Sequence, residues 1–140
     1  MKNLNFDLAG ILKKFPININ QIKENENLIH DKDLLLIVET FDNKIICLFL
    51  NRSNLPKKSF YLFINDNKIF YYKKKKGSEV IEKNEFYRDE NSHIRYKYNK
   101  ETIENVGELK SFFFDGFFRL INDMDSYKCK EIEVFEILTE

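Results

Sequence analysis

The sequence predicts an α+β domain: an antiparallel β-sheet meander of about six to eight strands packed against an N-terminal helix and a long Phe-rich C-terminal helix, with a final C-terminal strand. Three observations predict it. Residues 33–99 hold short apolar runs separated by turn formers, residues 102–124 carry apolar side chains at helical spacing, and residues 132–138 return to a strand-like run. With 140 residues, 43% of them hydrophobic and 15% aromatic, the chain has enough apolar material for one core, and a single domain over 1–140 is expected.

Each element has its own justification. Leu4, Leu8, Ile11, Leu12 and Phe15 repeat on one helical face and Pro16 ends the pattern, so residues 3–15 are expected to form an amphipathic helix. Gly10 inside it costs roughly 1 kcal/mol against alanine, which makes the helix dependent on docking. The Asn-rich segment 17–32 is expected to be a connecting loop or one short helix. Leu34–Val38 and Ile45–Leu50 then form a first hairpin across a turn containing Asp42 and Asn43. Both runs are nearly continuous in apolar residues, the mark of strands covered on both faces, with helices on each side.

Phe60–Ile64 and Lys68–Tyr72 form a second hairpin across Asn65, Asp66 and Asn67, with Pro56 in the preceding linker. Shorter strands are expected at Glu79–Glu82 and Glu85–Arg88. His93–Tyr98 alternates cleanly, with Ile94, Tyr96 and Tyr98 on one face and His93, Arg95 and Lys97 on the other, as a half-exposed strand would. From Thr102 to Met124 the period turns helical: Val106, Leu109, Phe113, Phe117, Leu120 and Met124 make one stripe, widened by Phe114, Phe118 and Ile121.

Composition narrows the chemistry. The 23 basic and 23 acidic residues cancel, so the chain as a whole is not a polycation seeking nucleic acid or an anionic membrane. No apolar run approaches the roughly 18 to 20 residues of a membrane helix, and the N-terminus has no uninterrupted apolar region of the signal-peptide kind, so a cytoplasmic location is expected. Cys47 and Cys129 are the only cysteines and lie far apart, which argues against a zinc site; Cys47 is expected to be a small buried hydrophobe. Lysine outnumbers arginine 19 to 4 and asparagine reaches 16, a bias that fits an AT-rich bacterial or phage genome.

No catalytic residues, metal ligands or cofactor are expected. His30 and His93 are the only histidines and neither stands in a nucleophile motif; an enzyme would need one of them to meet a carboxylate in a cleft. Asp123 and Asp125 lack the glycine and distal glutamate of a calcium loop, and the four glycines form no phosphate cradle. Charge placement is more informative. From Arg52 to Lys76 eight basic residues face Asp66 alone, a local net of +7, whereas Asn122–Glu140 nets −4. The molecule should therefore be electrically lopsided, provided these segments do not lie side by side.

These features predict a non-enzymatic intracellular protein-binding protein, in its most specific form a bacterial immunity protein that inhibits a toxin, or a phage-encoded inhibitor, acting by masking a partner's surface. The residues expected to touch that partner are Lys57, Lys58, Lys73, Lys74, Lys75, Lys76, Arg95, Lys97, Asp123, Asp125, Glu131 and Glu133. Two alternatives stand beside it. One is single-stranded nucleic-acid binding through the basic segment 52–76, whose hairpin interleaves aromatics with lysines. The other is a barrel-like carrier of a small molecule or lipid, which a large internal pocket would favour and a filled Phe core would oppose.

Overall fold

The computed structural model describes residues 4–24, 32–51, 59–75, 80–103 and 129–138. In chain order these form helix α1 (Phe6–Leu12), a 3-10 turn (Ile19–Gln21) and strands β1 (Ile22–Glu24), β2 (Asp33–Thr40), β3 (Ile45–Leu50), β4 (Phe60–Asn65), β5 (Lys68–Lys74), β6 (Ile81–Arg88), β7 (Ile94–Ile103) and β8 (Cys129–Ile137). All eight strands join one antiparallel sheet in the order β1-β8-β2-β3-β4-β5-β6-β7. The strand from the C-terminal part thus slots between β1 and the start of the meander.

This architecture corrects the expected α+β balance. The described residues are dominated by antiparallel sheet and hold one short α-helix, α1, of seven residues. The long helix expected from Thr102 to Met124 is not seen: Thr102 and Ile103 end β7, where they pair with Glu82 and Ile81. Ladder bonding to β6 outweighs the helical period at this point, because a strand already in register gains one more bond pair by continuing. Residues 104–128, which carry the Phe-rich stripe, lie outside the described residues. The expected final strand is present as β8.

Other departures are local. The two short strands expected at 79–82 and 85–88 are one strand, β6, whose register against β7 shifts between Lys83 and Glu85. A bulge of this kind interrupts side-chain alternation without ending the strand, which is why the sequence pattern reads as two pieces. Segment 17–32, expected as loop or helix, contains β1, which pairs Ile22 with Ile137. Helix α1 is shorter than its apolar pattern; Asn5 caps it by accepting from the Leu8 backbone N–H at 2.8 Å, and beyond Leu12 the chain tightens through Lys14 N–H to Ile11 and Phe15 N–H to Leu12 bonds.

The expected burial of the first hairpin on both faces is present. Leu34–Val38 and Ile46–Leu50 are all buried, and they divide by parity into two clusters. On one face Leu35, Ile37, Cys47, Phe49, Phe60, Leu62, Ile64, Ile69 and Phe135 receive Leu8, Ile11 and Leu12 from α1 and Phe15 from the turn that follows it. Phe15 anchors the helix among Tyr71, Phe86 and Phe60, with ring centroids 4.9, 5.3 and 6.1 Å away. On the other face Leu34, Leu36, Val38, Ile46, Leu48, Leu50 and Ile81 cluster, flanked by Tyr61, Phe63 and Tyr72. The two cysteines fall on opposite faces, Cys47 among the helix-facing residues and Cys129 beside the second cluster, so the sheet itself separates them. Both remain thiols.

Candidate functional site

The three hairpin turns β2–β3, β4–β5 and β6–β7 lie at one end of the meander. Each contains a non-glycine residue in the left-handed region: Asn43, Asp66 and Ser92, with φ between 54° and 63°. The chain leaves and rejoins the sheet at the other end through 52–58 and 76–79, outside the described residues. Asn51 and Ser59, which flank the first of these connections, are tied by a 3.0 Å bond from the Asn51 backbone N–H to Ser59 Oγ.

Strand pairing builds a two-dimensional array on the face of β5–β7 turned away from α1. One row reads Lys68, Tyr87, Arg95 and the next Phe70, Glu85, Lys97; beyond them Tyr72 pairs with Lys83 and Lys74 with Ile81. β4 extends the array, placing Phe63 opposite Phe70 and Tyr61 opposite Tyr72. Lys97 Nζ reaches Glu85 at 3.5 Å, and Lys83 Nζ sits 4.8 Å from the Phe70 ring centroid and 5.9 Å from that of Tyr72. Tyr87 stands between two cations with 40% of its surface exposed. The face therefore combines half-buried rings with Lys68, Lys74, Lys83, Arg95 and Lys97 and with the carboxylate of Glu85.

The residues singled out in the sequence are dispersed by this geometry. Arg95 and Lys97 share the array and Lys74 lies on the same face. Lys73 points to the opposite face, where its Nζ is 3.7 Å from the buried Glu82. Lys75 follows β5 and is exposed. Glu131 and Glu133 are on β8, with Glu133 buried. Lys57, Lys58, Lys76, Asp123 and Asp125 lie outside the described residues. Tyr87, Lys68 and Lys83 are the members of the array that sequence reasoning missed. Their spacing carries no signal, because they become neighbours only through the register of three strands.

The charge separation expected from the sequence has a structural basis. β8 carries Glu131, Glu133 and Glu136 against Lys130, and three strands separate it from β5, a distance of roughly 19 Å at the usual strand spacing. β5 and β7 instead net +3 and +2, and the charges of β6 cancel.

His93 does meet a carboxylate. Its Nδ1 lies 3.8 Å from Asp89 Oδ2 in the β6–β7 turn. Asp89 is occupied with structure, however: its Oδ1 accepts from the backbone N–H groups of Asn91 and His93, both at 2.9 Å, and its Oδ2 from Arg95 Nε at 2.9 Å. The Arg95 guanidinium and these backbone donors hold the Asp89 carboxyl below its usual pKa. Across the sheet, a polar cluster sits at the end of the helix-facing core. Tyr96 Oη donates to Asn84 Oδ1 at 3.3 Å, and burial, then the charge of Glu82, pushes the Tyr71 hydroxyl up to about 12. Among the described residues no group of three or more His, Cys, Asp or Glu side chains could hold a metal ion, and no helix is long and apolar enough to cross a membrane.

Comparison with family models, with curated proteins and with solved structures finds no match.

Proposed function

We propose that the chain is a non-enzymatic protein-binding protein that masks a surface of its partner, and that its specific role is that of an immunity protein inhibiting a bacterial toxin, or of a phage-encoded inhibitor. The observation that carries the binding reading is the β5–β7 array, where exposed Tyr87 stands between Lys68 and Arg95. Tyrosine and arginine are the residues most often found at energetic centres of protein interfaces. A basic wing set apart from the acidic β8 orients the molecule toward an acidic partner surface and raises the encounter rate. The inhibitor role rests on the segregated charge and on a composition that fits a bacterial or phage genome. A cytoplasmic site of action is part of the proposal, supported by two thiols held on opposite faces of the sheet.

The alternatives fare less well on the same geometry. Lys83 occupies the space over Phe70 and Tyr72 where bases of a single strand would stack. The space between sheet and helix, where a carrier would hold its cargo, is filled by the rings of Phe15, Phe49, Phe60, Tyr71 and Phe86.

The test is co-expression of the chain with the toxin encoded beside it, followed by capture of the complex. Neutralisation that is lost when Lys68→Glu and Tyr87→Ala are introduced together, with binding weakened at least tenfold and more so at low salt, is the expected outcome. A double variant that neutralises as well as the parent removes the array from the interface.

A further inference from the structure

The sheet ends in two different ways. One edge is β1, three residues long, and a very short edge strand offers little for another chain to pair with. The other edge is β7, Ile94–Ile103, which contains neither proline nor glycine, and among the described residues no strand pairs with its outer side.

The ladder shows which residues of β7 address that side. Arg88 N–H donates to Asn67 O, toward β5, so the main chain of Arg88 turns away from β7, and its partner Ile94 turns outward. Glu82, at an even spacing from Arg88 on the same strand, repeats its direction, which turns its partner Thr102 outward as well. Between these ends the register shift sets residues 98–100 opposite Asn84 alone. Two extra residues, unlike one, keep the alternation in phase, so the even-numbered residues from Ile94 to Thr102 form one outward row. The odd-numbered residues Arg95, Lys97, Asn99 and Glu101 alternate with them.

We propose that this edge pairs with the same edge of a second copy of the chain, antiparallel about a two-fold axis at Tyr98. In that register the strand complements itself. Ile94 stands opposite Thr102, Tyr96 opposite Lys100 and Tyr98 opposite its own counterpart, so every outward residue meets another. Arg95 stands opposite Glu101 on each side of the axis, at the pairs where the two strands come closest. Neighbouring registers do worse. Centring on Lys97 sets two lysines opposite each other, and centring on Asn99 leaves Ile94 outside the ladder with Arg95 opposite Ile103. An axis normal to the sheet keeps the corresponding faces of both copies on one side, so the two β5–β7 arrays become one continuous surface. The inference is independent of what that surface binds, because Lys68 and Tyr87 lie on β5 and β6 and not at the edge.

The experiment is sedimentation velocity of the full chain. A reversible dimer, half-formed at about 10 to 100 µM, is expected, since two paired edges bury less surface than a tight interface does. Arg95→Glu and Glu101→Arg each set like charges opposite one another in a homodimer and should each weaken it at least tenfold. An equimolar mixture of the two variants restores opposite charges at both pairs and should dimerise within about threefold of the parent, a rescue that a merely misfolded variant could not give. A parent that is monomeric at about 500 µM, a dimer indifferent to both substitutions, or variants that stay weak when mixed would each overturn the pairing. The first of these outcomes leaves β7 to a strand of a different protein.

Discussion

At the residue scale, Asp89 shows how one carboxylate can shape a turn. Three donors converge on it: two backbone N–H groups and the Arg95 guanidinium. Each favours the charged form, so the folded-state pKa falls below that of the unfolded chain. The sign follows from linkage. A depressed carboxyl contributes stability that is fully present above the unfolded value, about pH 4, and is lost as pH drops through the lower folded value. Asp89→Asn should therefore lower the thermal midpoint at pH 7, with the gap to the parent closing as pH falls below about 4. A gap unchanged between pH 7 and pH 2, measured by circular dichroism melts, would show that the charge at Asp89 contributes nothing. The sequence leaves 89–92 between two expected strands; the ion pair to Arg95 is not readable there, because it depends on the hairpin having closed.

At the element scale, α1 is too short to be stable alone and exists by docking. Its apolar stripe was legible: of the residues on the expected face, Leu8, Ile11, Leu12 and Phe15 are buried and Leu4 is half-buried, whereas the Asn5 cap was not read from the sequence. Leu12 is fully buried, so Leu12→Ala should cost about 2 to 5 kcal/mol, while Gly10→Ala on the opposite, open side should be neutral or stabilise by up to about 1 kcal/mol. Denaturant midpoints measured for the pair separate the two sides of the helix; equal losses would mean that α1 packs otherwise than described. The second hairpin was equally legible, since Asn65-Asp66-Asn67 is turn chemistry between two apolar runs and Asp66 takes the left-handed conformation there. Strand β1 was not, because three residues of mixed polarity carry no period, and only the edge of β8 makes a strand of them.

At the scale of the whole molecule, the sheet acts as a partition. It sets Cys47 among the helix-facing core residues and Cys129 on the other side, and burial pushes the Cys47 thiol up to about 12. Under native conditions near pH 8, iodoacetamide should modify half-buried Cys129 well before Cys47, whose alkylation should await unfolding by denaturant. Simultaneous labelling followed by mass spectrometry would contradict the partition. The same sheet spreads charge along its width, with acid on β8 and base on β5 and β7. The local composition bias was visible in the chain, but its meaning depends on strand order.

By itself the sequence determined strands β2 to β5 and β8, where the first two hairpins turn and which face of α1 is apolar, because these follow from short-range periodicity and from residues that tolerate a turn. It also determined where charge gathers along the chain, basic in 52–76 and acidic in 122–140. Tertiary structure alone decided that Thr102 and Ile103 extend a strand, that β8 inserts between β1 and β2, and that Lys68, Tyr87 and Arg95 stand in one row. Those outcomes rest on hydrogen-bonded ladders between residues distant in the chain, and a ladder's register is a property of two strands together that neither one encodes alone.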